Sequence, residues 1–237
     1  MRGTGTDRGG VGRKLLITLL VIVVVLIALD RIGDAVAERY AADTIQKSQQ
    51  LPHRPSVDIT GFPFLTQLAS GNFDQIVVSD NEVPVGSGAV HFDLSTIQVR
   101  LHRVHVARTL TSVHAAVADA VATMSYQDLG RALGGATVRY AGDGRVRATK
   151  TITILGHHVS GSISAAPALL NGALAFTKDR VNNIAAVVAA ALPAIRKIFT
   201  VRLPLDGIPF DVRVRRLSVD TSGLHLALVG HNLSYSR

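Results

Sequence analysis

The sequence predicts an α+β fold: a curved, mostly antiparallel sheet wrapped against one long helix and preceded by an N-terminal membrane or signal helix. Three observations carry this expectation. Leu15 to Leu29, "LLITLLVIVVVLIAL", is uncharged and almost wholly aliphatic. The body from residue 56 onward is built of stretches whose apolar residues alternate with the period of a strand. One body segment, Val181 to Phe199, departs from that pattern and repeats Ile184, Val187, Val188, Ala191, Ile195 and Phe199 at helical spacing, with Pro193 as a kink.

Residues 1–14 form a basic, Gly-rich tail, and residues 15–33 read as a signal anchor or a signal peptide. Fifteen residues make a helix of about 22 Å, short of a ~30 Å hydrocarbon core. As a signal peptide the run would be an h-region followed by Ala35-Val36-Ala37 as a cleavage site. As an uncleaved anchor it would gain reach from Lys14 and Arg31, whose long stems let their charges rise to the interface. Asp30, Arg31 and Asp34 are unusual between an h-region and its cleavage site, which favours the anchor. Either way the basic flank stays cytoplasmic and the remainder lies outside, at the cell membrane or in the envelope, or free in the periplasm if cleaved. Good helix formers continue from Asp34 to Gln50, and a helical linker over 34–55 ends at Pro52 and Pro55.

The body, 56–237, contains no low-complexity linker and reads as one domain. Val57 to Thr60 is a short strand. "FPFLTQLASG" is a helical turn or two, with Phe64, Leu65 and Leu68 on one side and Gly71 as the stop. Phe73 to Ser79 is a strand. Ala89 to Ala107 is a longer one whose phase slips twice, from Phe92 and Leu94 to Ile97, Val99 and Leu101, then to Val104 and Val106. Such slips predict bulges and a bent sheet. In Val113 to Met124, Val113, Val117 and Val121 oppose small alanines. Ser125 is an N-cap with Asp128 at N3, and the short helix it starts ends at Gly134-Gly135. Gly142-Asp143-Gly144 and Asn171-Gly172 are hairpin turns. Phe210 to Asp220 and Leu224 to Val229 close the sheet.

The absence of cysteine excludes disulfides and thiolate metal sites. Lys plus Arg number 25 and Asp plus Glu 17, a net charge of +8, of which +6 lies beyond residue 37. A basic surface draws phosphates of nucleic acid or of anionic lipid. The apolar N-terminal run selects the membrane, so no nucleic acid is expected. His102 and His105 fall on opposite faces of a strand, as do His157 and His158, and no third ligand accompanies His91 and Asp93. With no nucleophile elbow, P-loop or dinucleotide fingerprint in the chain, neither an enzyme nor a cofactor is indicated.

The chain twice sets Gly, a large apolar residue, Pro and Phe at a strand edge: Gly61-Phe62-Pro63-Phe64 and Gly207-Ile208-Pro209-Phe210. Such turns put Phe on a rigid corner, where it either plugs the end of an ordinary core or shapes an apolar cavity. "VDITGFPFLTQLASGNFDQIVVSD", "MSYQDLGRAL" and "LPLDGIPFDVRVRRLSVDTSGLHLALVGHNL" together resemble the actinobacterial LmeA-like phospholipid-binding proteins, across roughly Asp34 to Leu233. The resemblance implies a tubular lipid-binding (TULIP-like) fold, phospholipid binding, and support of lipid transport or of envelope glycolipid and mannan assembly. On that reading an acyl chain meets Phe62, Phe64, Leu65, Leu68, Phe73, Phe92, Ile184, Val187, Val188, Ala191, Ile195, Phe199, Ile208 and Phe210. Small side chains such as Ala115 and Ala189 leave it room. Arg213, Arg215 and Arg216 meet the headgroup of an anionic phospholipid, with Arg213 and Arg215 on one strand face. The expected partners are phospholipid, membrane and envelope biosynthesis enzymes. The alternative is a non-enzymatic, membrane-anchored scaffold or regulator of an envelope glycosyltransferase, and a lipid hydrolase is a third, weaker reading.

Overall fold

A computed structural model describes residues 8–87, 90–109, 111–154, 157–182, 200, 202–205, 208 and 211–236. The first element, α1 (Arg8–Ser48), is an unbroken helix of 41 residues that runs straight through the boundary expected at 33/34. Its two parts face different surroundings. The large apolar side chains from Leu16 to Leu29 are all exposed, whereas Asp30, Asp34 and Ala42 are buried against the domain. The helix is long and apolar enough to cross a membrane. It ends just before Gln50, which takes a positive φ of 53°, and Pro52.

The chain then returns along α1 as β1 (Ser56–Thr60), turns through α2 (Phe64–Ser70), and builds β2 (Asn72–Ser87), β3 (Val90–Val106) and β4 (Ser112–Met124). After α3 (Tyr126–Ala132) come β5 (Thr137–Tyr140), β6 (Val146–Ile154), β7 (His157–Leu170), β8 (Ala173–Asn182) and β9 (Leu203–Pro204), and finally β10 (Arg213–Val219) and β11 (Leu224–Ser236). The strands form two antiparallel sheets, one ordered β1-β2-β3-β4-β11-β10 and the other β5-β6-β7-β8-β9. The fold is α+β with curled antiparallel sheets, divided in two where the sequence suggested one. The helix expected over 181–199 begins two residues too early, because Val181 and Asn182 still pair with Ile163 and Ser162 in β7. Residues 183–199 lie outside the described residues.

The phase slips read from the sequence mark breaks in the larger sheet, but each drops one residue from both strands and leaves the register unchanged, so they are not the bulges expected. The β2–β3 ladder omits Glu82 and Ser95, and Glu82 has a φ of 55°. A second break crosses four strands in a row: β2–β3 omits Asp74 and Arg103, β3–β4 omits Arg103 and Ala116, and β4–β11 omits Ala116 and Asn232. Arg103 and Asn232 both have φ near the left-handed region, at 52°. Side chains alternate with a period of two, so each break resets which residues point inward. Leu94, Ile97, Val99 and Val104 are all buried, although no single alternation connects them.

That row also divides the interior. On one side lies a small cluster of Phe64, Phe73, Val104 and Ala115. On the other lies the main core, to which both sheets contribute: Phe92, Val99, Ala120, Met124 and Leu226 from the larger sheet, and Val146, Ile163, Leu174 and Leu203 from the smaller. Ile45 of α1 and Leu129 of α3 pack into it.

Candidate functional site

The first Gly-Phe-Pro-Phe turn lies where α1 meets the domain. Gly61 takes a φ of 116°, and a Cβ there would fall 2.5 Å from the Gln67 side chain, so only glycine fits without displacement. Phe62-Pro63 is cis. Pro63 occupies the N-cap of α2 and offers no side chain to its free N–H groups. Asp30 of α1 caps the helix instead: its carboxylate accepts from Phe64 N at 3.1 Å and from Leu65 N at 2.8 Å. An anion at a helix start satisfies orphan donors and complements the helix dipole. Arg31 lies 5.3 Å from the centre of the Phe62 ring, a cation–π contact, and forms an ion pair with Asp34 at 3.7 Å. A Cβ on Gly33 would touch Phe64 and Leu65 at 3.4 Å, so the two helices are in close contact. Glu38 accepts from Ile59 N at 2.9 Å and fixes β1 to the same helix.

Of the residues assigned here to an acyl chain, Phe64 and Phe73 are buried with ring centres 6.2 Å apart. Phe62, Leu65 and Leu68 are 60%, 40% and 46% exposed. Phe64 is thus the inward residue of α2, while the two leucines expected on its side face outward.

Beyond the dividing row, the concave face is lined by small side chains. Ala118, Ala120 and Ala122 of β4 are buried, between Leu101, Val99 and Ile97 on one neighbour and Gly230, Leu228 and Leu226 on the other. Val121, on the opposite face of the strand, is 47% exposed. Sequence reasoning paired valines against alanines here, and the alanines are the interior set. Phe92 and Ile208 belong to this core. At its edge an apolar pocket of about 320 Å³ is lined by Leu169, Gly172, Leu205, Val212, Arg213 and Val214. That volume is at the small end of the range for ligand sites. Arg213 adds the one charge in the lining among the described residues.

The basic cluster differs in detail from expectation. Val214 pairs with Leu228 and Arg216 with Ala227, so Arg215 is the extra residue of a β-bulge. Register therefore places Arg213 and Arg216, opposite Val229 and Ala227, on one face, in place of Arg213 and Arg215. All three guanidinium side chains are exposed. Ile184, Val187, Val188, Ala191, Ile195, Phe199, Phe210 and Ala189 lie outside the described residues.

Two polar constellations escaped sequence reasoning. A pocket of about 640 Å³ is lined by Pro52, His53, Asn81, Glu82, Asp93, Ser95 and Arg131 among others. Arg131 bridges Asp128 at 2.9 Å and Asp93 at 3.8 Å, and Ser95 Oγ donates to Asp128 at 2.8 Å. These carboxylates and amides suit water, not methylenes. At the β10–β11 turn, Asp220, Ser222 and His225 converge. Ser222 Oγ donates to Asp220 Oδ1 at 2.6 Å, and both oxygens lie 3.0 Å from His225 Nε2, whose other ring nitrogen faces Thr123 at 3.2 Å. A hydrolytic triad places Ser and Asp on opposite nitrogens of the imidazole, which this cluster does not. It acts as a turn clamp, and Tyr126 of α3 reinforces it by donating to the Asp220 carbonyl. Burial, followed by the Asp220 charge, pushes the Tyr126 phenol up to about 12, so it remains a donor. Among the described residues no group of three His, Asp or Glu side chains is placed to hold a metal ion.

Curled antiparallel sheets, an alanine-lined concave core, an apolar pocket edged by arginine and an apolar N-terminal helix together describe a lipid-binding protein. The model of the LmeA-like phospholipid-binding family matches residues 28–229, and the chain belongs to that family. No curated protein and no solved structure matches it.

Proposed function

We propose that this protein is anchored by α1 with its domain outside the cytoplasm, and that it holds an acyl chain of an anionic phospholipid in the apolar space beyond the dividing row. The chain enters beside Leu169, Leu205 and Val212 and lies toward Ala118, Ala120 and Ala122, while Arg213, in the pocket lining, meets the phosphate. The pocket that joins apolar walls to Arg213 carries this reading, and membership of a phospholipid-binding family supports it. Energetically the exchange is nearly even: each methylene gains roughly 0.8 kcal/mol on leaving water, but those of a bilayer lipid are already dry. Discrimination then rests on the headgroup, where Arg can pair bidentately with phosphate. Lipid transport or support of envelope glycolipid assembly, without catalysis, follows as the role.

The uncleaved anchor is favoured by what residues before Ala37 do. Asp30 caps α2, and Arg31 and Gly33 touch the Phe62-Pro63-Phe64 turn. Cleavage after Ala37 would remove all three. The test is to purify the full chain in detergent and identify co-purifying lipid by mass spectrometry, alongside Arg213→Glu. The proposal expects stoichiometric phospholipid in the parent and about a ten-fold loss of anionic species in the variant, equivalent to one charge-assisted contact. Lipid-free parent protein that takes up none from vesicles would refute it.

A further inference from the structure

We infer that the outer face of α2 and its preceding turn, formed by Phe62, Leu65 and Leu68, is embedded in the headgroup–acyl boundary of the bilayer, making the domain a partly inserted one and not one held clear of the membrane. This rests on α1 spanning the membrane, and three observations lead from there to the lipid surface. The first is length. The fifteen residues from Leu15 to Leu29 reach about 22 Å against a ~30 Å core, leaving some five helical residues to be made up. Those are residues 30–34, of which Asp30 and Gly33 touch α2 directly.

The second is charge. Asp30 and Asp34 would oppose entry to the interface if they faced lipid, but both are buried within the protein. Asp30 is occupied by two α2 amides, and Asp34 pairs with Arg31. Arg31 itself lies along the Phe62 ring, in the posture of a side chain that keeps its stem in apolar surroundings and its charge at the water boundary. The third is exposure. At this junction the protein presents Ile32 at 62%, Phe62 at 60%, Leu68 at 46% and Leu65 at 40%, continuous with the exposed apolar side of α1. An apolar face continuous with a membrane span is satisfied by lipid.

The chain has no tryptophan, so single-Trp variants report depth without background. The full-length protein carrying Leu68→Trp is reconstituted in phosphatidylcholine–phosphatidylglycerol vesicles, with or without bromine on the upper acyl carbons. Leu20→Trp reports whether α1 is inserted, and Val121→Trp, on the exposed face of the larger sheet, reports the aqueous domain. Leu68 and Leu65 are surface positions, and Leu65→Trp repeats the measurement should Leu68→Trp perturb folding. The expectation is that brominated lipid quenches Trp at 20 and at 68 by about two-fold or more, as for a face lying ~5–10 Å into the boundary, while Trp at 121 is unaffected. Quenching at 20 without quenching at 68 or 65 would overturn the inference and assign the face to water or to another protein. No quenching at 20 would overturn the anchor and this inference with it.

Discussion

The two ends of the larger sheet solve the same problem in opposite ways. On the α2 side of the row Asp74–Arg103–Ala116–Asn232, the concave face is stopped by aromatic rings, Phe64 against Phe73, and locked from outside by α1. On the other side, the central strand offers Ala118, Ala120 and Ala122, and the edge opens into a pocket beside Arg213. One end is plugged by rings, and the other carries small side chains in its core and a pocket only at its edge. The difference teaches that the two Gly-x-Pro-Phe turns, so alike in sequence, do not do equivalent work. At the variable place Phe62 of the first is exposed, while Ile208 of the second is 8% exposed and part of the main core.

The sharpest way to break this contrast is Phe64→Ala. It removes the plug from a buried position, and a loss of about 3–5 kcal/mol in denaturant unfolding is expected, with lipid content per folded molecule unchanged. Loss of lipid with little loss of stability would instead move the binding site to this end. Next is Asp30→Ala, which strips both caps from α2 and should cost about 2 kcal/mol, read by the same titration. Asp30→Asn should recover part of that, since an amide oxygen still accepts. Ala120→Leu tests the alanine-lined end. In a fully packed core it would strain the structure by about 1–3 kcal/mol. The expected result is a smaller change, within ~1 kcal/mol, together with reduced co-purified lipid, because the new side chain displaces the occupant.

The smallest effect belongs to Asp220. Its carboxyl is held well below the usual carboxylate range, first by the Ser222 hydroxyl, then by His225 and the Ser222 N–H. A depressed folded value means the stabilisation is present above the unfolded value near 3.9 and lost as pH falls through the folded value. Asp220→Asn should therefore lower the unfolding midpoint slightly at pH 7, and the gap from the parent should close under strongly acid conditions. A gap independent of pH would assign the clamp to turn geometry alone.

Much of the fold was legible because its signals are local. Ser125 accepts from Asp128 N at 3.1 Å as an N-cap should, Gly71 ends α2 at a φ of 69°, and Asn171-Gly172 turns β7 into β8 with φ of 52° and 75°. The slips in the third strand were visible because a residue omitted from a ladder shifts the apolar period, whatever the neighbouring strands do. What escaped depends on distant or two-stranded geometry. The capping of α2 by Asp30 spans 34 positions in the chain. The Arg213–Arg216 pairing follows from a bulge that only the register with β11 defines. Leu65 and Leu68 were grouped with Phe64 toward the acyl chain because helical spacing gives a face but not the direction it points. The small sheet separated from the large one for the same reason: alternation marks strands without saying which of them share hydrogen bonds.

The unbroken run of α1 joins the apolar segment and the domain-facing segment in a single stiff shaft. Its 41 residues extend about 60 Å, with no hinge between the span and the segment that supports β1. On the anchoring proposed above, a tilt of the span, which is how helices answer a change in bilayer thickness, would be transmitted as a lean of the whole domain, and the angle of the pocket to the surface would read out the membrane beneath it.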